Sequence, residues 1–90
     1  MEESFGIASF RSRQQVMAFE RTLRRLGLSV SVMTTPRAVA LGCGLLVRFR
    51  LEDARDVQDV YRVTGGSNLI GFYRVDRVGG KTQVSALGGG

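Results

Sequence analysis

The sequence predicts an α+β sandwich of βαββαβ order, and three observations carry that reading. Two stretches place apolar residues at helical spacing, four short segments are rich in β-formers or alternate in polarity, and glycines stand where elements must end. A chain of 90 residues has room for one compact core, burying roughly 60 to 65% of its surface on folding.

Phe5-Gly6-Ile7-Ala8-Ser9-Phe10 is short and apolar, a first strand. Ser12-Arg13-Gln14-Gln15 follows as a capping box, in which the Ser12 hydroxyl and the Gln15 amide satisfy free backbone donors. Val16, Phe19, Leu23 and Leu26 then share one helical face, and Gly27 supplies the stop. Leu28-Ser29-Val30-Ser31-Val32-Met33 alternates with the period of a strand that has one buried face. Gly44-Leu45-Leu46-Val47-Arg48-Phe49 is the third strand, with Leu45, Val47 and Phe49 on one side, and it pairs with the second as a hairpin.

Glu52 and Asp53 place negative charge at the start of a second helix, where the dipole favours it. Ala54, Val57, Val60 and Tyr61 continue at helical spacing until Gly65-Gly66. Leu69-Ile70-Gly71-Phe72-Tyr73-Arg74-Val75 is the fourth strand. From Asp76 onward glycine and polar residues take over, with Gln83 to Leu87 able to add an edge strand or a docked segment. The expected organisation is one domain over residues 1–75 and a flexible or loosely docked glycine-rich tail over 76–90.

This order is that of a ferredoxin-like sandwich, a four-stranded antiparallel sheet with both helices on one face and strands one and three at its centre. Phe5, Phe10 and Phe49 are expected in the core, and Gly6, Ala8, Ser29, Ser31, Leu46 and Arg48 on the open face. The end of strand one, the turn between strands two and three, the start of helix one and the end of strand four are expected to meet at one sheet edge. That edge is the candidate site.

Thirteen Lys and Arg against eight Asp and Glu give a net charge of +5, and all the cations but Lys81 are arginines. Arginine suits bidentate contact with oxyanions, although genomic composition also raises its count. The single cysteine excludes an internal disulfide, and no apolar run reaches the roughly 20 residues that span a bilayer. The acidic start, Met1-Glu2-Glu3-Ser4, is unlike a signal peptide, so a cytoplasmic location is expected.

That cysteine, Cys43, stands between Gly42 and Gly44 in the loop that begins at Pro36-Arg37. Neighbours without a Cβ leave a thiol approachable. Two readings stay open for Cys43, a reactive group and a small buried hydrophobe. Reactive chemistry needs a stabilised thiolate, which Arg37 in the loop and Arg11 and Arg13 beside the helix start are placed to assist. The chain contains no histidine, which excludes a Cys-His dyad and argues for a carrier or accessory protein over a stand-alone enzyme. Neither a metal nor a cofactor is called for.

Pro36-Arg37, six residues, then Cys43-Gly44 and an apolar strand, all preceded by strand-helix-strand, resembles the selenium/sulfur carrier-like family of small bacterial proteins. The resemblance covers roughly residues 5 to 75. It implies that Cys43 carries sulfur or selenium as a persulfide or selenopersulfide, received from a donor protein and passed to an acceptor. It gives Pro36, Arg37 and Gly44 roles in shaping the loop. Family members commonly have small polar residues before the cysteine, whereas this chain has Ala40-Leu41-Gly42.

Two other readings compete. A regulatory or interaction module would use the open sheet face or an edge strand, with homo-oligomers as one outcome. RNA binding suits the net charge, yet the third strand lacks the aromatics that stack bases, which disfavours nucleic acid. The terminal Gly88-Gly89-Gly90 matches the thiocarboxylate tail of ubiquitin-like sulfur carriers, but their β-grasp order is absent here.

Overall fold

The structure is a computed structural model that describes residues 2–36, 42–64 and 68–87. Its elements are β1 (Glu3–Phe10), α1 (Arg13–Arg25), β2 (Val30–Thr34), β3 (Leu45–Phe49), a 3-10 turn (Leu51–Asp53), α2 (Ala54–Thr64), β4 (Leu69–Val78) and β5 (Lys81–Ala86). The sheet is antiparallel throughout, in the order β2-β3-β1-β4-β5. Its first four strands have the expected arrangement, with β1 and β3 inside. The expected strand count was four and the structure has five.

The fifth strand has a clear local cause. Gly79 and Gly80 both take positive φ (56° and 81°), the requirement of a tight two-residue hairpin turn whose twist matches the strands. β4 therefore runs on to Val78 and folds back, pairing Val78 with Lys81 and Val75 with Val84. Residues 76–78 and 81–86 lie in the sheet, where a flexible or loosely docked tail was expected, with Gln83 to Leu87 able to add an edge strand.

α1 ends at Leu26 and Gly27, whose φ of 86° lets the Leu28 N–H reach the Leu23 carbonyl at 3.1 Å and the Gly27 N–H reach that of Arg24 at 3.0 Å. These two bonds form a Schellman stop. At the other end Ser12 has the extended backbone of an N-cap, but the Ser12 arm of the expected capping box does not form, since its side chain makes no capping bond. The first turn is closed by backbone alone, the Val16 N–H donating to the Ser12 carbonyl at 3.2 Å. α2 begins two residues later than expected, because Glu52 and Asp53 lie in the 3-10 turn ahead of it. Gly65 and Gly66, its expected stop, fall outside the described residues.

Side-chain alternation splits the apolar residues into two layers. Between sheet and helices lie Ala8, Phe10, Val16, Phe19, Leu23, Val47, Phe49 and Val57, all buried. Tyr61 links the two helices and the sheet here, 6.1 Å from Phe10, 6.0 Å from Phe19 and 5.9 Å from Phe72 between ring centroids, within the range of favourable ring pairs. On the face without helices, Phe5, Ile7, Leu46 and Val75 form a second buried cluster flanked by Met33, Tyr73 and Val84.

Two assignments are corrected by this split. Phe5 belongs to the face without helices, while Gly6 and Ala8 face the helices; a Cβ on Gly6 would run into the Phe49 ring. The uncovered face is also closed by its own side chains. The Arg48 guanidinium lies 3.9 Å from the Phe5 ring centroid, with that of Arg77 at 5.4 Å, and both arginines reach Glu3 (2.9 and 3.4 Å). Phe5 is thereby only 2% exposed with no helix above it.

Candidate functional site

The antiparallel register places four chain segments at one sheet edge. Phe10 ends β1, β3 begins at Leu45, α1 follows β1 by two residues, and Leu69 at the start of β4 pairs with Phe10. The expected direction of β4 is thus corrected: it begins at this edge and ends at the other, because Glu3 pairs with Arg77. The chain returns toward the edge only through β5, after which the Leu87 N–H donates to the Phe72 carbonyl at 3.0 Å.

The connection between β2 and β3 stands on this edge. Thr35 and Pro36 leave β2 half-buried, and the Thr35 N–H donates to the Gly44 carbonyl at 2.9 Å, so the two stems stay paired just beyond the sheet. Arg37 lies outside the described residues, as does the rest of the loop through Leu41. Gly42 and Gly44 have φ of +85° and +91°, a region costly for any residue with a Cβ. Their environments differ. A Cβ on Gly42 would lie 2.6 Å from the Phe10 carbonyl oxygen and 2.9 Å from Ser9 Oγ, whereas one on Gly44 would meet nothing within 4 Å.

Cys43 is a free thiol, half-buried between two exposed glycines. Its side chain packs against the helix-side core, and its S–H is directed at the Leu45 carbonyl oxygen, 3.7 Å away. The chain therefore fixes the sulfur from one side, while the flanking residues add no side chain that shields the other. Such a thiol is partly accessible and stands at a strand entrance.

Arg11 and Arg13 stand at the same edge, both exposed. The Arg11 N–H donates to the Asn68 carbonyl at 2.8 Å, which ties the start of α1 to the start of β4. Neither guanidinium is hydrogen-bonded to Cys43. No acidic residue occupies the first turn of α1, so its positive end is not offset by a carboxylate of its own.

Two further side chains were not legible in the sequence. Ser9 Oγ and Thr35 Oγ1 are buried hydroxyls without a hydrogen-bond partner among the described residues, and both adjoin the stems of the Cys43 loop. Ser9 is fully buried beneath Gly42, a position that only the sheet register and the loop's path reveal. Ile70 flanks Gly42 as well, 3.5 Å from the position of its absent Cβ, and lines an apolar groove of about 420 Å³ with Tyr61, Leu69, Phe72 and Leu87.

No helix among the described residues is long and apolar enough to cross a membrane. No curated protein and no solved structure matches the chain. One family does match, over residues 5–68, a span that holds β1, both helices, the Cys43 loop and β3. By that match the chain belongs to the family described as "Putative Se/S carrier protein-like".

Proposed function

We propose that this protein is a sulfur or selenium carrier in which Cys43 holds the cargo as a persulfide or selenopersulfide. The observation that carries the reading is the position of Cys43, the only cysteine of the chain, inside the matched span and at the entrance of β3. A carrier needs an accessible thiol and little else, and the absence of histidine is consistent with exchange that needs no built-in general base.

The exchange balances without an added oxidant. The Cys43 thiolate attacks the terminal sulfur of a donor protein's persulfide; a new S–S bond forms, the donor's S–S bond breaks, and its electron pair leaves as the donor thiolate. Delivery is the same step in reverse sense, an acceptor thiolate taking the terminal sulfur and Cys43 leaving as thiolate. With selenium the atom transferred is Se and the bonds concerned are S–Se. Pro36 and Arg37 shape the loop in this reading, Gly42 and Gly44 keep the sulfur approachable, and Arg11 and Arg13 offset the negative charge of the thiolate and of the persulfide anion.

The test is mass spectrometry after incubation with a cysteine desulfurase and cysteine. One bound sulfur adds about 32 Da to the peptide containing Cys43, and the Cys43→Ser variant gains nothing. A wild-type protein that stays unmodified, or carries the sulfur elsewhere, overturns the reading.

A further inference from the structure

The arginines divide into two populations. Arg48 and Arg77 share Glu3, Arg50 meets Glu52 and Asp53, Arg62 meets Asp59 and Arg74 meets Asp76. Arg55 on α2 makes no ion pair among the described residues, and along and just before α1 such arginines cluster. Arg24 alone is paired there, with Glu20. Arg11, Arg13, Arg21 and Arg25 make no ion pair among the described residues, although all four are exposed.

Helical spacing gathers these groups. Val16, Phe19, Glu20 and Leu23 are the buried face of α1, so Arg13, Gln14, Met17, Ala18, Arg21, Arg24 and Arg25 occupy the opposite one. The stripe is about 20 Å long for 13 residues. Met17 sits within it at 46% exposure. Glu20, the only carboxylate on the helix, is buried beneath and already paired.

We propose that the exposed face of α1 is a docking surface for an acidic protein. Charge complementarity argues for the acid: four unpaired guanidiniums and a helix N-terminus with no carboxylate of its own face solvent together. Exposed Met17 argues for a protein, since Arg and Met are enriched at protein interfaces. No aromatic side chain stands on this face to stack a base, as single-stranded RNA recognition requires. The face also leads to the thiol. α1 lies above β1, β2 and β3, and its arginine-flanked N-terminus is at the sheet edge that carries Cys43. A protein docked along the helix is brought to that edge; that it exchanges sulfur there rests on the carrier reading, whereas the docking does not.

The experiment measures anisotropy of labelled poly-L-glutamate, and separately of labelled poly-uridylate, in roughly 50 mM salt where exposed charges are little screened. Three proteins of unchanged fold by circular dichroism are compared: wild type, R13E/R21E/R25E, and R55E/R62E/K81E as a control with the same change in net charge. The first variant is expected to lose at least about tenfold in poly-L-glutamate affinity, since each exposed charge pair contributes up to roughly fivefold, and the control less than about threefold. R13Q/R21Q/R25Q serves if charge reversal unfolds the helix, with the loss then expected at about fivefold. Equal losses in the helix and control variants overturn the proposal, as does tighter binding of poly-uridylate than of poly-L-glutamate. Cys43→Ser is expected to bind poly-L-glutamate like the wild type, so failure of the carrier reading and failure of the docking surface are read separately.

Discussion

The Cys43 sulfur lies 3.7 Å from the Leu45 carbonyl oxygen, inside the packing of the helix-side core and at the mouth of β3. This contact separates the two roles a lone cysteine can have. A thiol that serves only as a small hydrophobe is missed mainly by stability, whereas a carrier thiol is missed mainly by chemistry. Because the side chain is half-buried and its hydrogen bond to the Leu45 carbonyl is weak, Cys43→Ala is expected to cost no more than about 1 kcal/mol in urea denaturation, while abolishing the sulfur gain. A loss above about 3 kcal/mol would assign the residue to packing.

The two glycines beside the thiol are not equivalent. Both have left-handed φ, so any substitution carries a conformational cost of about 1 kcal/mol. At Gly42 a methyl group would also press on the Phe10 carbonyl and the buried Ser9 hydroxyl, neither of which can swing away. Gly42→Ala is therefore expected to destabilise by about 2 to 4 kcal/mol and Gly44→Ala by about 1. Thermal denaturation of the pair checks the order, and equal losses would mean that the Gly42 contact relaxes.

Most of the fold was legible because hydrophobic period and turn residues agree along residues 5 to 75. Val16, Phe19 and Leu23 mark the buried side of α1 as their spacing says, whereas Leu26, expected with them, is the exposed C-cap, and Gly27 stops the helix. β5 was harder to read, because Lys81-Thr82-Gln83 has little apolar content and only the Gly79-Gly80 step between Val78 and Lys81 signals a hairpin. The inward set of β1 was misassigned for a different reason. A strand apolar on both faces gives no alternation to read, and in β1 both faces are buried from Phe5 onward. At the site, Cys43 between its glycines is visible in sequence, but the hydroxyl of Ser9 under Gly42 follows from register, a long-range property.

Two carboxylates, Glu3 on the face without helices and Asp76 on the opposite face of the sheet, give the fold an acid dependence. The hydrogen bond and charge of Arg48, with Arg77 beyond, hold Glu3 below the ordinary carboxylate range. The Ser4 hydroxyl and Arg74 do the same for Asp76. A carboxylate lowered in the folded state contributes stability that is present above its unfolded pKa and is lost as pH falls through the folded one. Stability is therefore expected to decline as pH drops below about 4, and the decline should be shallower in Glu3→Gln and Asp76→Asn. Urea midpoints between neutral and acid pH measure this; a Glu3→Gln curve parallel to the wild type would remove Glu3 from the account.

The buried cluster on the face without helices makes a stronger demand. Ile7, Leu46 and Val75 are fully buried although no helix covers them, and the lid over Phe5 is made of arginine stems and guanidiniums held by Glu3. Long cationic side chains cover apolar surface while keeping their charge in water. Ile7→Ala is accordingly expected to cost about 2 to 4 kcal/mol, comparable with Leu23→Ala between sheet and helices. Arg48→Ala removes both the lid and the partner of Glu3, so its effect should exceed that of Glu3→Gln, which leaves the Arg48 stem over Phe5. Urea denaturation of the four variants decides the matter. If Ile7→Ala costs less than about 1 kcal/mol, the face is a surface and its burial contributes little; if Arg48→Ala matches Glu3→Gln, the ion pair and not the covering of Phe5 is what Arg48 supplies.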